Sequence, residues 1–455
     1  MGGDTVRKKT FDATCANLST IRLPACSHEE ALRQSGCAVV DQLFASEQSD
    51  IRIGGGSDLQ PKTKKMRNAA YTVDVDGGRQ AMPTTSILPP DKVTKIKWKL
   101  GGALSEKDQL DVLKYISDNN DRFAYALEDL EQYNGPSMEV PLNDSKYIFR
   151  PPHKLGEKEW TFVGEQCAKL HKLGFIRKSD QTKYASATVV VGKKDDKGIY
   201  TEFRKCGDYR PLNAETTLDR YQLPLIESIF NDMKGAQLFS KLDLRSGYHQ
   251  MGLREEDRSK TAFWGARREL WEWCVVPFGL KNAPSYFQRQ MDKVLSGLTF
   301  ARCYIDDIVI WSATFEEHLE HLSAVFARLR SANLKVHPAK CQFAVDSIDF
   351  LGHHVSAAGL SPQIEKLAVV RDLSSPTDIS SLRSALGLFS YYRKFVSGFS
   401  KIASPLNDLL KKGKAWMWGA EQMNAFAELK ERLCSAEVLR RPDPELPYIL
   451  TTDWS

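Results

Sequence analysis

Two aspartates adjoin in the stretch Arg302-Cys303-Tyr304-Ile305-Asp306-Asp307-Ile308-Val309-Ile310-Trp311. Like charges side by side in a run of β-branched and aromatic residues are costly unless something neutralises them. Carboxylate oxygens are the ligands that Mg²⁺ and Mn²⁺ prefer, so a divalent cation answers that cost directly. A solvated turn accounts for the dipeptide as well, and the choice depends on whether another carboxylate arrives from elsewhere. The flanking Tyr, Ile and Val residues predict two short strands with the Asp pair at their tight link. A turn that needed polarity alone would more naturally carry Asn-Gly or Asp-Gly.

A candidate third carboxylate is Asp243, in Lys241-Leu242-Asp243-Leu244-Arg245-Ser246-Gly247-Tyr248-His249-Gln250. It ends a short apolar run and is followed by small residues and a tyrosine. A carboxylate at a strand end suits a metal; Asp also caps helices well, and both roles can hold together. Further upstream, Ala187 to Val191 reads as a strand, Gly192 to Gly198 as a lysine-rich turn, and Tyr200 to Arg210 as the return. Lys193, Lys194 and Lys197 at the tip, with Arg204 on the stem, could clamp phosphates, the guanidinium offering a bidentate fork. A solvated, charged hairpin tip explains the same residues.

The elements that must position these groups read as an α+β layout, with helices covering one sheet face. Ser105 followed by Asp108 predicts a helix start. A second helix spans about Trp160 to Leu173 and stops at Gly174. Asn282 is placed to cap a helix that tolerates Pro284 in its first turn and buries Phe287, Met291, Val294, Leu295 and Leu298 on one face. After the Asp pair, Leu319, Leu322, Val325, Phe326 and Leu329 define another amphipathic helix. Beyond Pro362 the pattern is mostly helical, with a Leu382, Leu386, Phe389 stripe. Basic residues interleave there with Tyr391, Tyr392, Phe395 and Phe399, aromatics that fit a core better than a nucleic-acid grip.

The chain has 455 residues, enough for two to four domains, with 42% hydrophobic and 27% charged residues, an ordinary globular composition. A net charge of +5 permits a polyanionic partner without requiring one. No apolar run is long enough to span a bilayer, so no membrane association is expected. The start Met1-Gly2-Gly3-Asp4 carries no signal core, and Val6 breaks the myristoylation pattern. The nine cysteines contain no Cys-x-x-Cys, which points to free thiols in a reducing, intracellular compartment, cytoplasm or nucleus. His318 and His321 lack the spacing of a zinc enzyme and are expected on a surface helix. There is no Asp-Thr/Ser-Gly triplet of an aspartic protease.

Taken together, and in this order, the motifs resemble the reverse transcriptases of gypsy-type LTR retrotransposons, from about residue 105 to the C-terminus. Asp243 looks like the first metal-binding carboxylate of that family, and Tyr304-Ile305-Asp306-Asp307 like its Tyr-x-Asp-Asp box. Val276-Pro277-Phe278-Gly279-Leu280 resembles the motif lining the nucleotide site, and Phe350-Leu351-Gly352-His353 the primer grip. The resemblance implies an RNA-directed DNA polymerase with two Mg²⁺ ions (Mn²⁺ as an alternative) about 3.5–4 Å apart. Asp243 and Asp306 would hold both, with Asp307 more peripheral. Lys193 and Arg204 would contact the triphosphate, with Lys194 or Lys197 as substitutes for Lys193. Tyr248 would be a steric gate against the ribose 2′-hydroxyl, Phe278 and Gly279 would lie at the incoming nucleotide, and Lys340 would donate a proton to pyrophosphate. The implied partners are dNTPs and an RNA or DNA template with its primer.

The implied architecture is a right-hand polymerase fold. Fingers are expected from 136–225 and 256–281, a palm from 226–255 and 282–356, and a helical thumb from 357–430. Residues 105–135 form a helical lead-in. Residues 1–104 are weakly patterned and open to partial disorder. Residues 431–455 are expected to be the truncated start of a ribonuclease H-like domain. There Asp453 matches a first carboxylate, while Trp454 stands where the family has alanine and the remaining acids are absent, so no ribonuclease H activity is expected. A piece of a polyprotein is one expectation; the rival reading is a truncated, non-catalytic nucleic-acid-binding relic.

Overall fold

The computed structural model describes residues 96–435 except 145–146, 182 and 195–199, together with 438–439 and the backbone of 13–14 and 20–21. In chain order its main elements are β1 (Lys99–Leu100), α1 (Glu106–Asp118), α2 (Glu157–Lys172), β2 (Thr188–Lys194), β3 (Tyr200–Gly207), β4 (Leu238–Asp243) and α3 (Ala283–Val294). Then follow β5 (Ala301–Tyr304), β6 (Asp307–Ser312), α4 (Phe315–Ala332), β7 (Gln342–Val345), β8 (Ser347–Phe350), β9 (His353–Ser356) and β10 (Gly359–Pro362). Helices α5 (Ile364–Asp372), α6 (Ile379–Tyr391) and α7 (Ala420–Cys434) come last. No helix among the described residues is long and apolar enough to cross a membrane.

The central sheet has the order β5-β6-β4-β7-β1, antiparallel except for the β7–β1 pair. Strand β6 shows why it occupies the interior. Ile308 and Ile310 join one core with Leu242, Phe287, Leu322 and Phe326, while Val309 and Trp311 join a second with Phe239, Phe350, Leu386 and Phe389. Side chains alternate between faces, so a one-residue slip in register would exchange the two sets and misplace every anchor. Each fully buried Ile or Phe contributes about 1.5–3 kcal/mol, which makes the register expensive to change. Here the structure departs from the sequence reading: α3 and α4 do cover one face, but the other is covered too, by the β8-β9-β10 sheet and the C-terminal helices.

Several starts and stops follow from local chemistry. Ser105 Oγ accepts from Asp108 N at 3.1 Å, and Gly174, at φ 72°, follows α2 as a left-handed stop. Asn282 differs from its expected role. It sits before α3, but its side chain does not cap the helix; it accepts from Asp219 N at 3.1 Å and donates to Thr217 O at 2.7 Å, tying the helix start to a distant loop. Of the aromatics before the C-terminal helix, Tyr392 and Phe395 are buried, as a core role requires.

His318 also corrects the sequence reading. It lies on α4 but is fully buried, bridging Ser240 Oγ (2.7 Å) and Ser312 Oγ (2.9 Å) on adjacent strands, and Ser312 Oγ also meets His321 Nδ1 at 2.7 Å. His321 is part-buried and stacked on Phe300. A two-faced sheet leaves strand hydroxyls no water, and an imidazole, donor on one nitrogen and acceptor on the other, satisfies two of them. Burial, followed by the neighbouring His321, lowers the His318 pKa to about 4. A depressed folded-state pKa means that the unfolded chain binds more protons, so the stabilisation is complete above the ordinary value and is lost as pH falls toward 4. The urea midpoint should therefore drop between pH 6.5 and 4. His318→Gln should lower stability at pH 7 by roughly 1–3 kcal/mol and flatten that drop.

Candidate active site

The carboxylates meet at one end of the central sheet. Strands β4 and β6 pair in a register that sets Asp243 directly opposite Asp307, and β5 pairs with β6 so that Tyr304 faces Asp307. The turn is therefore Ile305-Asp306, and Asp307 already belongs to the strand, a refinement of the expected placement of the pair. Asp306 O accepts from Leu244 N at 2.9 Å, which brings the third carboxylate beside the residue that follows Asp243. Asp243 and Asp306 are buried; Asp307 keeps a quarter of its side chain exposed.

The turn is strained and held. Ile305 has φ 54°, a conformation that β-branched residues rarely adopt. Gln288, fully buried on α3, accepts from Ile305 N and donates to Cys303 O, each at 2.8 Å, and Cys303 Sγ donates to Ile305 O at 2.8 Å. Burial first, then the fields of Asp306 and Asp307, holds the Cys303 thiol well above its ordinary pKa, so it acts as a neutral donor. Such strain, about 1–3 kcal/mol, persists only where surroundings over-determine it.

The chain leaving Asp243 is fixed with equal care. Asp243 O accepts from His337 N at 2.7 Å, and Gln250 binds Arg245 O, Lys335 O and Lys335 N through both ends of its amide. Gly247 shows how close this segment comes: a Cβ there would overlap Asp306 Oδ1 and stand 2.8 Å from Phe287 Cζ. Tyr248 follows, buried, with its ring edge-on to Phe278 at 5.3 Å and Phe287 at 5.4 Å. Phe278 itself is 43% exposed, an aromatic face turned to solvent beside the carboxylates' segment. His249 packs behind it at 5.2 Å, with its pKa lowered to about 4 by burial and then by Lys205. Gly279, at φ 92°, gives its carbonyl to Asn213 at 2.8 Å.

Two lysines lean on the acids: Lys340 Nζ lies 3.4 Å from Asp243 Oδ2, and Lys241 Nζ 3.2 Å from Asp307 Oδ1. Among the described residues no three His, Cys, Asp or Glu side chains close into a cage for a metal. The donor set nonetheless fits Mg²⁺, which is bound by one or two carboxylates with waters and substrate phosphates rather than by an all-protein cage. Cationic charge already sits where a metal would balance the acids.

Arg204 is on the β2–β3 ribbon opposite Val191, and the Lys193, Lys194 and Lys197 side chains fall outside the described residues, as does Asp453. In the β8–β9 hairpin, Phe350, Gly352 and His353 are buried and Leu351 is half-buried against the second core. The Leu351-Gly352 turn has two positive φ angles, and its carbonyls accept from Tyr391 Oη (2.6 Å) and Tyr392 Oη (2.9 Å) on and just beyond α6. Sequence reasoning left Lys241, Gly247, Gln250 and Gln288 without roles. Gly247 had a signal, a small residue between Asp243 and a bulky Tyr; a buried glutamine on a helix has none.

Comparison with known proteins fits this geometry. Residues 191–355 match the family model "Reverse transcriptase (RNA-dependent DNA polymerase)", and residues 418–455 match "RNase H-like domain found in reverse transcriptase", which begins within the stretch expected to form the thumb. The chain is 37% identical over 311 residues to the retrovirus-related Pol polyprotein from transposon 297 of Drosophila melanogaster, covering 68% of this chain and 29% of that one. It is likewise 37% identical over 328 residues to the Pol polyprotein from transposon gypsy of the same organism, covering 69% of this chain and 31% of the relative. The transposon Tf2-3 polyprotein of Schizosaccharomyces pombe is 34% identical over 71% of this chain and 23% of its own length. The chain thus spans less than a third of these relatives. In fold it resembles the foamy viral protease-reverse transcriptase solved with double-stranded DNA (TM-score 0.69, 22% identity, 80% of this chain and 64% of that one). The same protein solved with an RNA/DNA hybrid gives TM-score 0.67 at 23% identity, over 81% of this chain and 49% of that one. The architecture is the right-hand polymerase fold, residues 191–355 form a reverse transcriptase domain, and the chain is similar to part of the gypsy-type retrotransposon Pol polyproteins.

Proposed function

We propose that this chain is an RNA-directed DNA polymerase that adds dNTPs to a primer 3′-hydroxyl. The observation that carries the reading is the cross-strand pairing of Asp243 with Asp307, with Asp306 in the strained turn beside them and the Tyr248–Phe278 pair next along the chain. Two Mg²⁺ ions held there would lower the pKa of the attacking hydroxyl and neutralise the triphosphate and leaving pyrophosphate. Asp243 and Asp306, the more buried acids, serve as the principal ligands, and Asp307 is peripheral.

The other residues bind and orient. Phe278 offers an exposed aromatic face to the incoming base, and Gly279 lets the backbone approach. Tyr248, braced edge-on between Phe278 and Phe287, cannot retreat from a ribose 2′-hydroxyl, so it selects deoxyribose by exclusion. Lys193 and Arg204 hold the triphosphate, and Lys340, already beside Asp243, is placed to protonate pyrophosphate. The Leu351-Gly352 turn steadies the primer strand, with Phe350 and His353 as its buried footing. In this reading the fingers are 136–225 and 256–281, the palm 226–255 and 282–356, and the thumb 357–430. A nucleic-acid duplex as partner is supported by the foamy viral relative, which was solved with DNA and with an RNA/DNA hybrid.

Purified protein should extend a DNA primer on an RNA template with Mg²⁺ and dNTPs and should stop on chelation. Asp306→Asn should lower extension by at least about a hundredfold without changing the thermal midpoint appreciably; undiminished extension would sink the mechanism. Gly247→Ala should lose most extension while primer–template binding persists, because the new methyl displaces Asp306. Tyr248→Val should raise ribonucleotide incorporation relative to dNTPs by roughly ten- to a hundredfold, since about 1.4 kcal/mol of lost exclusion is a factor of ten. An unchanged ratio would remove Tyr248 from the selection step.

A further inference from the structure

Lys241 is joined to both halves of the site and has no role in the mechanism above. Its ammonium lies 3.2 Å from Asp307 Oδ1 and 3.5 Å from Asp349 O, and 5.9 Å from the centre of the Phe350 ring. Asp349 and Phe350 are the last residues of β8, immediately before the Leu351-Gly352 turn. One side chain therefore spans from the peripheral carboxylate to the root of the hairpin. Its side chain is 20% exposed, and the strand that carries it is fixed by pairing with Val309 on one side and Gln342 on the other, so the reach is set by the sheet and not by a loose surface rotamer.

We propose that Lys241 is a positioning residue, a resident counter-ion that holds Asp307 while the acidic site lacks a divalent cation and turns to the Asp349 carbonyl when that carboxylate is drawn to one. The inference rests on the cation-binding reading of the aspartates. Three acids at one sheet end repel one another, and an ammonium against Asp307 offsets part of that repulsion. The same ammonium opposes a divalent cation at the same carboxylate, since like charges a few ångströms apart raise each other's energy. When Lys241 lets go of Asp307 it does not have to be left unpaired, because the Asp349 carbonyl and the face of Phe350 already lie on its other side. The Lys241–Asp349 contact, long at 3.5 Å while it is shared with Asp307, then tightens whenever the acidic site is filled. By reciprocity of coupled equilibria, anything that steadies the hairpin favours filling of the site. Lys340 lies on Asp243, away from the peripheral carboxylate, so the linkage from Asp307 to the hairpin belongs to Lys241.

The test uses the full chain and Mn²⁺ alone as probe, with free Mn²⁺ read by electron paramagnetic resonance and amide exchange read over 350–353. Lys241→Met should bind Mn²⁺ about three- to tenfold more tightly than the parent, because an opposing charge is gone. Lys241→Arg should restore parent-like affinity. In an Asp307→Asn background, Lys241→Met should leave Mn²⁺ affinity unchanged. Mn²⁺ should slow exchange at 350–353 in the parent and not in Lys241→Met. A role in packing alone predicts unchanged or weaker Mn²⁺ binding in Lys241→Met, and that result, or an equal gain in the Asp307→Asn background, overturns the proposal. Exchange at 350–353 that responds to Mn²⁺ equally in parent and Lys241→Met overturns the link to the hairpin. A parent chain that binds no Mn²⁺, or binds it as well after Asp306→Asn, overturns the reading beneath it.

Discussion

Three carboxylates at one end of a sheet repel one another, and the rest of the structure is arranged to keep them there. The β4–β6 register puts Asp243 across from Asp307, and that register survives because a slip would carry Ile308, Ile310, Val309 and Trp311 to the wrong cores. Hydrophobic burial on both faces is what holds the charges together. Gln288 keeps Ile305 in a left-handed turn so that Asp306 sits beside Leu244, and Gly247 leaves the space its carboxylate occupies. Lys241 and Lys340 then supply positive charge at the two strand acids.

This arrangement explains a division of labour between the two faces of the sheet. The face under α3 and α4 carries rigid packing, with His318 satisfying strand hydroxyls where water cannot reach. The opposite face joins the central strands to the β8–β9 hairpin and the C-terminal helices, through Phe350 and the tyrosines that bind the hairpin carbonyls. The turn that carries Asp306 is anchored to the first through Gln288. Asp307, through Lys241, is in contact with the second.

Much of this was legible in the residues. The strand flanking each aspartate, the stripes of α3 and α4, the left-handed stop at Gly174 and the capping role of Ser105 each follow from local periodicity or backbone chemistry. The resemblance in motif order then pointed to the family, and the matches over 191–355 and 418–455 bear that out. What sequence could not supply was anything set by contacts between distant segments. His318 reads as a surface residue because its partners, Ser240 and Ser312, lie on strands that only the fold makes adjacent. Asn282 reads as a cap, but its amide is claimed by Thr217 and Asp219. The covering of the second sheet face, likewise, depends on where helices more than seventy residues downstream come to rest.

The central claim is that Asp243 and Asp306 are the ligands around which the site works, with Asp307 secondary. The most direct measurement is anomalous scattering from crystals of the protein grown with primer–template, an incoming dNTP and Mn²⁺. The account predicts an anomalous peak bridging Asp243 and Asp306 at about 2.1 Å from an oxygen of each, with the Asp307 oxygens farther away. A peak that involves Asp307 and leaves Asp306 out, or no peak at this end of the sheet while nucleotide is bound, would contradict it.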